Sequence, residues 1–150
     1  MENHSEVLTY LRRVTRLYDR MSAPLADDLG LSRTELDIVA FLMNHPQCDT
    51  ARDIVARRML QKSNVSQAVE QLIRKGLLCR RPDAADRRCV HLLLTARAGE
   101  MFAAIREMQS GFRAALLTGL SEEEQAQLSA LLDRVSDNAA AAVRRLGDHE

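Results

Sequence analysis

The sequence contains no apolar run that approaches the ~20 residues needed to cross a bilayer. Its first ten residues, Met1 to Tyr10, are also too polar to form the apolar core of a signal peptide. We therefore expect a cytoplasmic protein with no membrane partner. At 150 residues, of which 46% are apolar, the chain can bury one core and add one further helical layer.

Patterns typical of catalytic and metal sites are missing as well. There is no glycine-rich phosphate loop, no GxSxG nucleophile elbow and no HExxH zinc motif. The four histidines are scattered, and no histidine or cysteine shares helical ligand spacing with carboxylates. We therefore expect neither an enzyme nor a metal site, and we predict no cofactor.

Cysteine is scarce and unevenly spaced. Cys48, Cys79 and Cys89 fit neither a disulfide scaffold nor a CxxC metal knuckle, so reduced thiols are expected. Cys79 and Cys89 nevertheless fall in two predicted neighbouring strands, among arginines that could stabilise a thiolate. A redox-responsive regulator that uses this pair is therefore an alternative, although a buried inert thiol is the commoner state.

The chain as a whole also lacks an excess of either charge, since it holds 21 basic and 21 acidic residues. The balance is uneven, however, because residues 52–91 include ten basic and four acidic side chains. That segment carries a net charge of +6, against −6 for the rest of the chain. A basic island of this kind favours contact with phosphates, whereas scattered charge would give only a solvated surface.

Capping patterns and apolar periodicity predict a mainly helical chain. Capping boxes at Ser32, Thr50 and Ser121 mark three helix starts. A helix before them carries an apolar seam at alternating steps of four and three residues, which Pro24 is expected to kink or interrupt. The seam consists of Val7, Leu11, Val14, Tyr18, Met21 and Leu25.

The segment from Lys62 to Gly76 has the two faces of a recognition helix. Its apolar side chains recur at i, i+3, i+4, i+7 and i+8, namely Val65, Ala68, Val69, Leu72 and Ile73. Gly76 is expected to end the helix in the left-handed conformation. The first two turns carry polar side chains that would reach base edges, while the positive helix end meets phosphate. These candidate DNA contacts are Lys62, Ser63, Asn64, Ser66 and Gln67.

Beyond Gly76 the apolar period changes toward two, which predicts strands over 77–81 and 89–94 around a charged turn. Arg87 and Arg88 at its tip would enter a narrow minor groove, where the potential is most negative. Asp86 would orient one of them through a charge-assisted hydrogen bond, unless it merely pairs with Arg88 across the turn. Asp86, Arg87 and Arg88 are therefore the candidate DNA contacts of a wing.

Two short helices followed by a basic hairpin are typical of a winged helix-turn-helix that binds DNA. KSNVSQAVEQLIRKGLL is similar to the recognition helix of the MarR family of bacterial regulators, and DRRCVHLLLT resembles its wing signature. The resemblance spans nearly the whole chain and implies one MarR-type domain over residues 1–150. By position, Asp86 and Arg88 match the wing pair of the family. The positions that match its major-groove contacts are Lys62, Ser63, Ser66 and Gln67.

The carboxyl half predicts a long helix that starts at Thr95 and closes at Gly119, and a final helix after Ser121. The apolar stripes of these helices and of the first helix lie outside the winged-helix core. A second subunit would cover them, unless the three helices pack together within one chain. The candidate interface residues are Val7, Leu11, Val14, Leu128, Leu132 and Val135.

The expected fold is thus mainly α with a small β-hairpin wing. The resemblance implies an obligate homodimer, with residues 1–30 and 96–150 as the dimerisation region and 32–95 as the DNA-binding lobe. It also implies a repressor at a pseudo-palindromic operator on double-stranded DNA, released by a small phenolic or amphipathic ligand. Tyr10, Tyr18 and His45 lie near the expected ligand cleft, but the sequence assigns no ligand contact. A winged-helix module that binds other proteins is the alternative function.

Overall fold

The computed structural model describes the backbone of residues 4–147 and the side chains of residues 6–147. As predicted, the described chain is mainly helical with one antiparallel two-stranded hairpin. Its elements are α1 (His4–Leu29), α2 (Arg33–Asn44), α3 (Ala51–Arg58), α4 (Lys62–Arg74), β1 (Leu78–Pro82), β2 (Val90–Leu94), α5 (Ala96–Gly99), α6 (Phe102–Leu116) and α7 (Glu122–Leu146). Two compact units, Met1–Phe112 and Arg113–Glu150, divide the chain within α6. Among the described helices, none has the length and apolar character to span a bilayer.

Helix α2 is the centre of the first unit. The prediction that it buries Leu36, Val39 and Ala40 is confirmed, but Met43 is only half-buried. Ile38, Phe41 and Leu42 are buried as well, so the helix is enclosed on nearly every side. Because buried side chains occupy most of its circumference, α2 lies in the interior, with the other elements packed about it. The core around α2 also includes Ile54, Val65, Leu72, Leu92 and Ile105.

Helix α1 continues through Pro24, so of the two effects expected of this proline, a kink or an interruption, the interruption does not occur. A proline inside a helix removes one hydrogen bond and costs about 3 kcal/mol. Ser22 and Ala26 on either side of it are both 1% exposed, so burial holds the backbone helical through this turn. The chain leaves the helix only at Gly30, which has a φ of +67°.

The single long helix predicted between Thr95 and Gly119 is in fact two helices, α5 and α6, separated at Glu100 and Met101. Thr95 caps α5, and its hydroxyl also donates to the carbonyl of Gly76 at 2.7 Å. The start of α5 is therefore hydrogen-bonded to the segment that precedes the hairpin. Helix α6 is instead positioned by Ile105, which is fully buried in the core.

Strands β1 and β2 each begin one residue later than predicted and pair from Leu78↔Leu94 to Pro82↔Val90. Leu78 and Leu92 are buried, and they anchor the hairpin on the core. Gly76 precedes the hairpin with a φ of +71°, as expected of a left-handed helix end. The far end of the hairpin, with its arginines, projects as an exposed turn.

Candidate nucleic-acid interface

The polar face of α4 is open to solvent because its apolar stripe is not. Val65, Ala68, Val69 and Leu72 are buried, which orients the opposite side of the helix outward. All five residues predicted to read DNA on this face are exposed: Lys62, Ser63, Asn64, Ser66 and Gln67. Within the described chain, the N-cap residue Gln61 makes no side-chain capping bond. The first N–H groups of α4 are thus not occupied by their cap and are oriented to bind an anion.

Asn64 and Gln67 also line a polar groove of about 240 Å³ that α4 shares with the start of α2. Thr34 from α2 and Gln71 from α4 border the same groove, and neither was predicted. Gln71 lies four residues after Gln67, so helical periodicity could have placed it on this face. Thr34 is distant in sequence, and no local pattern could have joined it to α4.

The turn between α3 and α4 is strained at Met59. This residue has φ +54° and ψ +35°, a left-handed backbone conformation that residues other than glycine rarely adopt. Its side chain is 81% exposed, so the turn is held by the packing of α3 and α4 on either side of it. This tight turn joins α3, which carries exposed arginines, directly to the polar start of α4.

The wing tip is organised by two carboxylates. Asp83 Oδ2 accepts the backbone N–H groups of Ala85 and Asp86, each at 2.9 Å. Asp86 Oδ1 accepts the backbone N–H of Arg88 at 2.9 Å. Asp86 therefore shapes the turn through the main chain, which corrects the expectation that it orients a guanidinium. The side chains of Arg87 and Arg88 are exposed at this turn.

His91 connects the wing to the loop before α3. Its Nδ1 lies 2.6 Å from Asp49 Oδ1, and its Nε2 lies 2.8 Å from Asp83 Oδ1. The hydrogen bond with Asp49, and next the one with Asp83, raise the pKa of His91. The bond from His91 and the two backbone N–H groups lower the pKa of Asp83 to about 2. Sequence analysis missed this bridge, since 42 residues separate His91 from Asp49.

Comparison with known proteins shows to which family this chain belongs. The profile of the MarR family matches residues 29–88. Over 131 residues the chain is 32% identical to the HTH-type transcriptional regulator PecS of Dickeya dadantii, a match that covers 86% of this chain and 79% of PecS. The chain belongs to the MarR family. It is a DNA-binding transcriptional regulator with a winged helix, and its relatives are regulators rather than enzymes, as expected.

Solved MarR-type structures share the fold of this chain. A MarR family regulator from Listeria monocytogenes, solved in complex with a 26mer DNA, aligns with a TM-score of 0.82 at 20% identity and covers 100% of this chain and 99% of its own. BpsR of Bordetella bronchiseptica, whose DNA binding is regulated by 6-hydroxynicotinic acid, aligns with a TM-score of 0.69 at 22% identity. That alignment covers 87% of this chain and 98% of BpsR.

The cysteines of this MarR regulator are not arranged as a redox pair. Cys79 lies opposite Leu93, whereas the backbone of Cys89 bonds with that of Asp83, which follows the end of β1 and lies four residues after Cys79. Four strand residues span about 13 Å, well beyond the reach of a disulfide. Partial desolvation, and next the carboxylates of Asp83 and Asp86, raise the pKa of Cys89. The predicted stabilisation of a thiolate by arginines is therefore not observed at Cys89.

Two of the three residues suggested near a ligand cleft are already engaged within the chain. Tyr18 donates its hydroxyl to Asp37 Oδ1 at 3.0 Å, and its ring meets Phe112 edge-on at 5.3 Å. Desolvation, and next the charge of Asp37, raise the pKa of Tyr18 to about 12. His45 packs against the ring of Phe41 at 4.8 Å. Tyr10 is exposed on α1.

Proposed function

We propose that this MarR regulator is a homodimeric repressor that binds a pseudo-palindromic operator and is released by a small effector. The exposure of the polar α4 face together with the arginines of the wing carries the proposal. Residues 32–95 form the DNA-binding lobe, and residues 1–30 and 96–150 form the dimerisation region. A repressor acts here by occupying promoter DNA that the polymerase needs.

The proposed DNA contacts divide by the groove that they reach. Lys62, Ser63, Asn64, Ser66 and Gln67 enter the major groove, where amide and hydroxyl side chains distinguish base pairs. Arg87 and Arg88 follow the adjacent minor groove or its phosphates, while Asp86 holds the turn beneath them. Two such lobes related by a two-fold axis would meet successive major grooves about 34 to 36 Å apart, or roughly 10 base pairs.

Apolar side chains left exposed on α1 and α7 support the dimer. On α1, Leu11 is 56% exposed and Val14 is exposed as well, while Val7 is half-buried. On α7, Leu128, Leu132 and Val135 are exposed, and the described helix has no buried residue. Contiguous exposed apolar stripes of this kind are typical of surfaces that a second subunit covers.

The substitution Gln67→Ala tests the recognition helix. If the amide makes a bidentate contact with adenine, its loss should cost about 1 to 3 kcal/mol at one base pair and leave other positions unchanged. The measurement is the affinity for the operator and for its single base-pair variants. Gln127→Ala, which removes the same exposed side chain from α7, is the control and should bind with unchanged preference.

An unchanged base preference in Gln67→Ala would show that this side chain does not read a base pair.

The salt dependence of the wild-type protein separates DNA binding from the alternative of a protein-interaction module. With 6 to 10 phosphate contacts, affinity should fall by about 10³- to 10⁵-fold between 50 and 200 mM salt. An interaction module should show no affinity for any duplex.

The proposed effector site is an apolar crevice of about 440 Å³ beside the wing. Its walls come from the end of α2, from β2 and from the start of α5 and α6, and include Leu42, Leu93 and Phe102. Asp49 and Thr95 supply polar atoms at its edge. An amphipathic molecule would fit this lining, and it would release DNA only if it bound the DNA-incompetent arrangement more tightly.

Gly99→Leu is expected to abolish the response to such an effector and to preserve DNA affinity. Gly99 lines the crevice, and a Cβ added there meets no atom within 4 Å, so a larger side chain can occupy the space. The measurement is DNA release by a panel of small aromatic acids and phenols, with Glu100→Leu on the adjacent exposed position as the control. Equal release from Gly99→Leu and the wild type would contradict the crevice as the site.

A further inference from the structure

The two contacts of the His91 ring specify its protonation state. A carboxylate oxygen only accepts hydrogen bonds, and a neutral imidazole has a single N–H. Because both ring nitrogens lie within hydrogen-bond distance of a carboxylate, at 2.6 and 2.8 Å, both contacts are hydrogen bonds only in the imidazolium form. Loss of the proton would leave a nitrogen lone pair facing a carboxylate oxygen.

A continuous series of hydrogen bonds, which includes the His91 bridge, connects the loop before α3 to the wing tip. On the inner side, the backbone carbonyl of Asp49 accepts the N–H of Leu92 at 2.7 Å, while the Asp49 side chain binds His91. On the outer side, Asp83 binds His91 through Oδ1 and the turn through Oδ2. Asp86 then fixes the backbone of Arg88. The orientation of the wing tip therefore depends on a bond that needs the ring proton.

We propose that protonated His91 is a positioning residue of the DNA interface, which holds the wing arginines in the orientation that contacts DNA. DNA affinity falls when the ring loses its proton, because one of the two bonds is then replaced by repulsion and the tip is released. This inference rests on the proposed contact of Arg87 and Arg88 with DNA.

The charges around His91 favour its protonated form. Its two partners are Asp49 and Asp83, and Asp53 and Asp86 add negative potential at the nearby Cys89. Arg81, opposite His91 in the strand register, is a cation on the same face of the hairpin. The pKa of His91 is nevertheless raised, since the bonds to both carboxylates outweigh desolvation. The bridge is thus present at pH values below this raised pKa and is lost as the pH rises through it.

The test measures affinity for a fluorescein-labelled duplex of random sequence between about pH 6 and pH 9, with ring NMR following the His91 proton. In the wild type, affinity should fall roughly tenfold as His91 deprotonates. The salt slope should fall by about 0.9 for each phosphate that the wing no longer neutralises. His91→Gln should bind weakly throughout and show no step at this pH.

Asp83→Asn distinguishes a role of the proton from a merely structural role. Its amide oxygen can still accept the N–H groups of the turn, and its amide nitrogen can donate to the lone pair of a neutral His91. This variant should therefore keep its affinity at alkaline pH, where the wild type loses it. A wild-type-like fall in Asp83→Asn, or an equal pH step in His91→Gln, would overturn the proposal.

Arg88→Ala separates this inference from the proposed function on which it rests. The variant should bind weakly at every pH, with a reduced salt slope. Binding equal to the wild type would show that the proposed wing contact of Arg88 is wrong. If Arg88→Ala weakens binding but wild-type affinity stays constant while His91 titrates, the positioning role alone is overturned.

Discussion

Replacing Val135 with glutamate is expected to convert the protein to monomers and to weaken operator binding by about 10²- to 10⁴-fold. Val135 lies in the apolar stripe of α7 and is 60% exposed, so the helix itself tolerates the charge. In the proposed dimer the same position is covered, and an unpaired carboxylate there would have to be desolvated. Separate lobes then lose the gain in effective concentration that joins the two half-sites. Sedimentation velocity and DNA titration measure the two effects.

Ala130→Glu is the matched control for this prediction. Ala130 is exposed on the same helix, about opposite to the apolar stripe, so its carboxylate should stay in water whatever covers that stripe. It should leave both the oligomeric state and DNA affinity unchanged. Leu11→Glu tests the stripe on α1 and should act like Val135→Glu. A dimer that persists in both Val135→Glu and Leu11→Glu would refute these interface residues.

Lys75→Met is expected to lower the free energy of unfolding by about 2 to 4 kcal/mol. The carboxylate of Glu35 is buried, with a residue exposure of 5%, and Lys75 Nζ is its ion-pair partner. Nζ also donates to the carbonyl of Gly30 at 2.9 Å. Methionine preserves the apolar stem but leaves the carboxylate without its cation, and an uncompensated buried charge is strongly destabilising. Urea unfolding at fixed protein concentration measures the change.

Two comparisons identify the cause of that loss. Arg33→Met removes a cation that pairs with Asp19 at the exposed surface, and it should cost less than about 1 kcal/mol. In the Lys75→Met background, the further change Glu35→Gln should recover part of the stability. The amide oxygen can still accept the Ser32 N–H of the capping box, while the buried charge is gone. If Lys75→Met and Arg33→Met lowered the free energy of unfolding equally, the burial of Glu35 would not be the cause of the loss.

The faces of α4 were predictable because both follow from one helical repeat. Once Val65, Ala68, Val69 and Leu72 are assigned to the core, the rotation of the helix leaves Asn64 and Gln67 outside. Capping residues are equally local, and the boxes predicted at Ser32, Thr50 and Ser121 are all present. Pro24 shows the limit of local rules, since burial of its neighbours outweighs its helix-breaking tendency.

The sequence by itself determined the family resemblance, the succession of the first four helices and the hairpin, and which side chains of α4 point outward. Only the tertiary structure decided that α2 is enclosed on nearly every side, that Thr34 borders the groove of α4, and that Cys79 and Cys89 are far apart. It alone joined Glu35 with Lys75 and Asp49 with His91, across 40 and 42 residues. Periodicity and caps act over a few neighbouring residues, whereas these pairs form only where packed elements bring distant parts of the chain together.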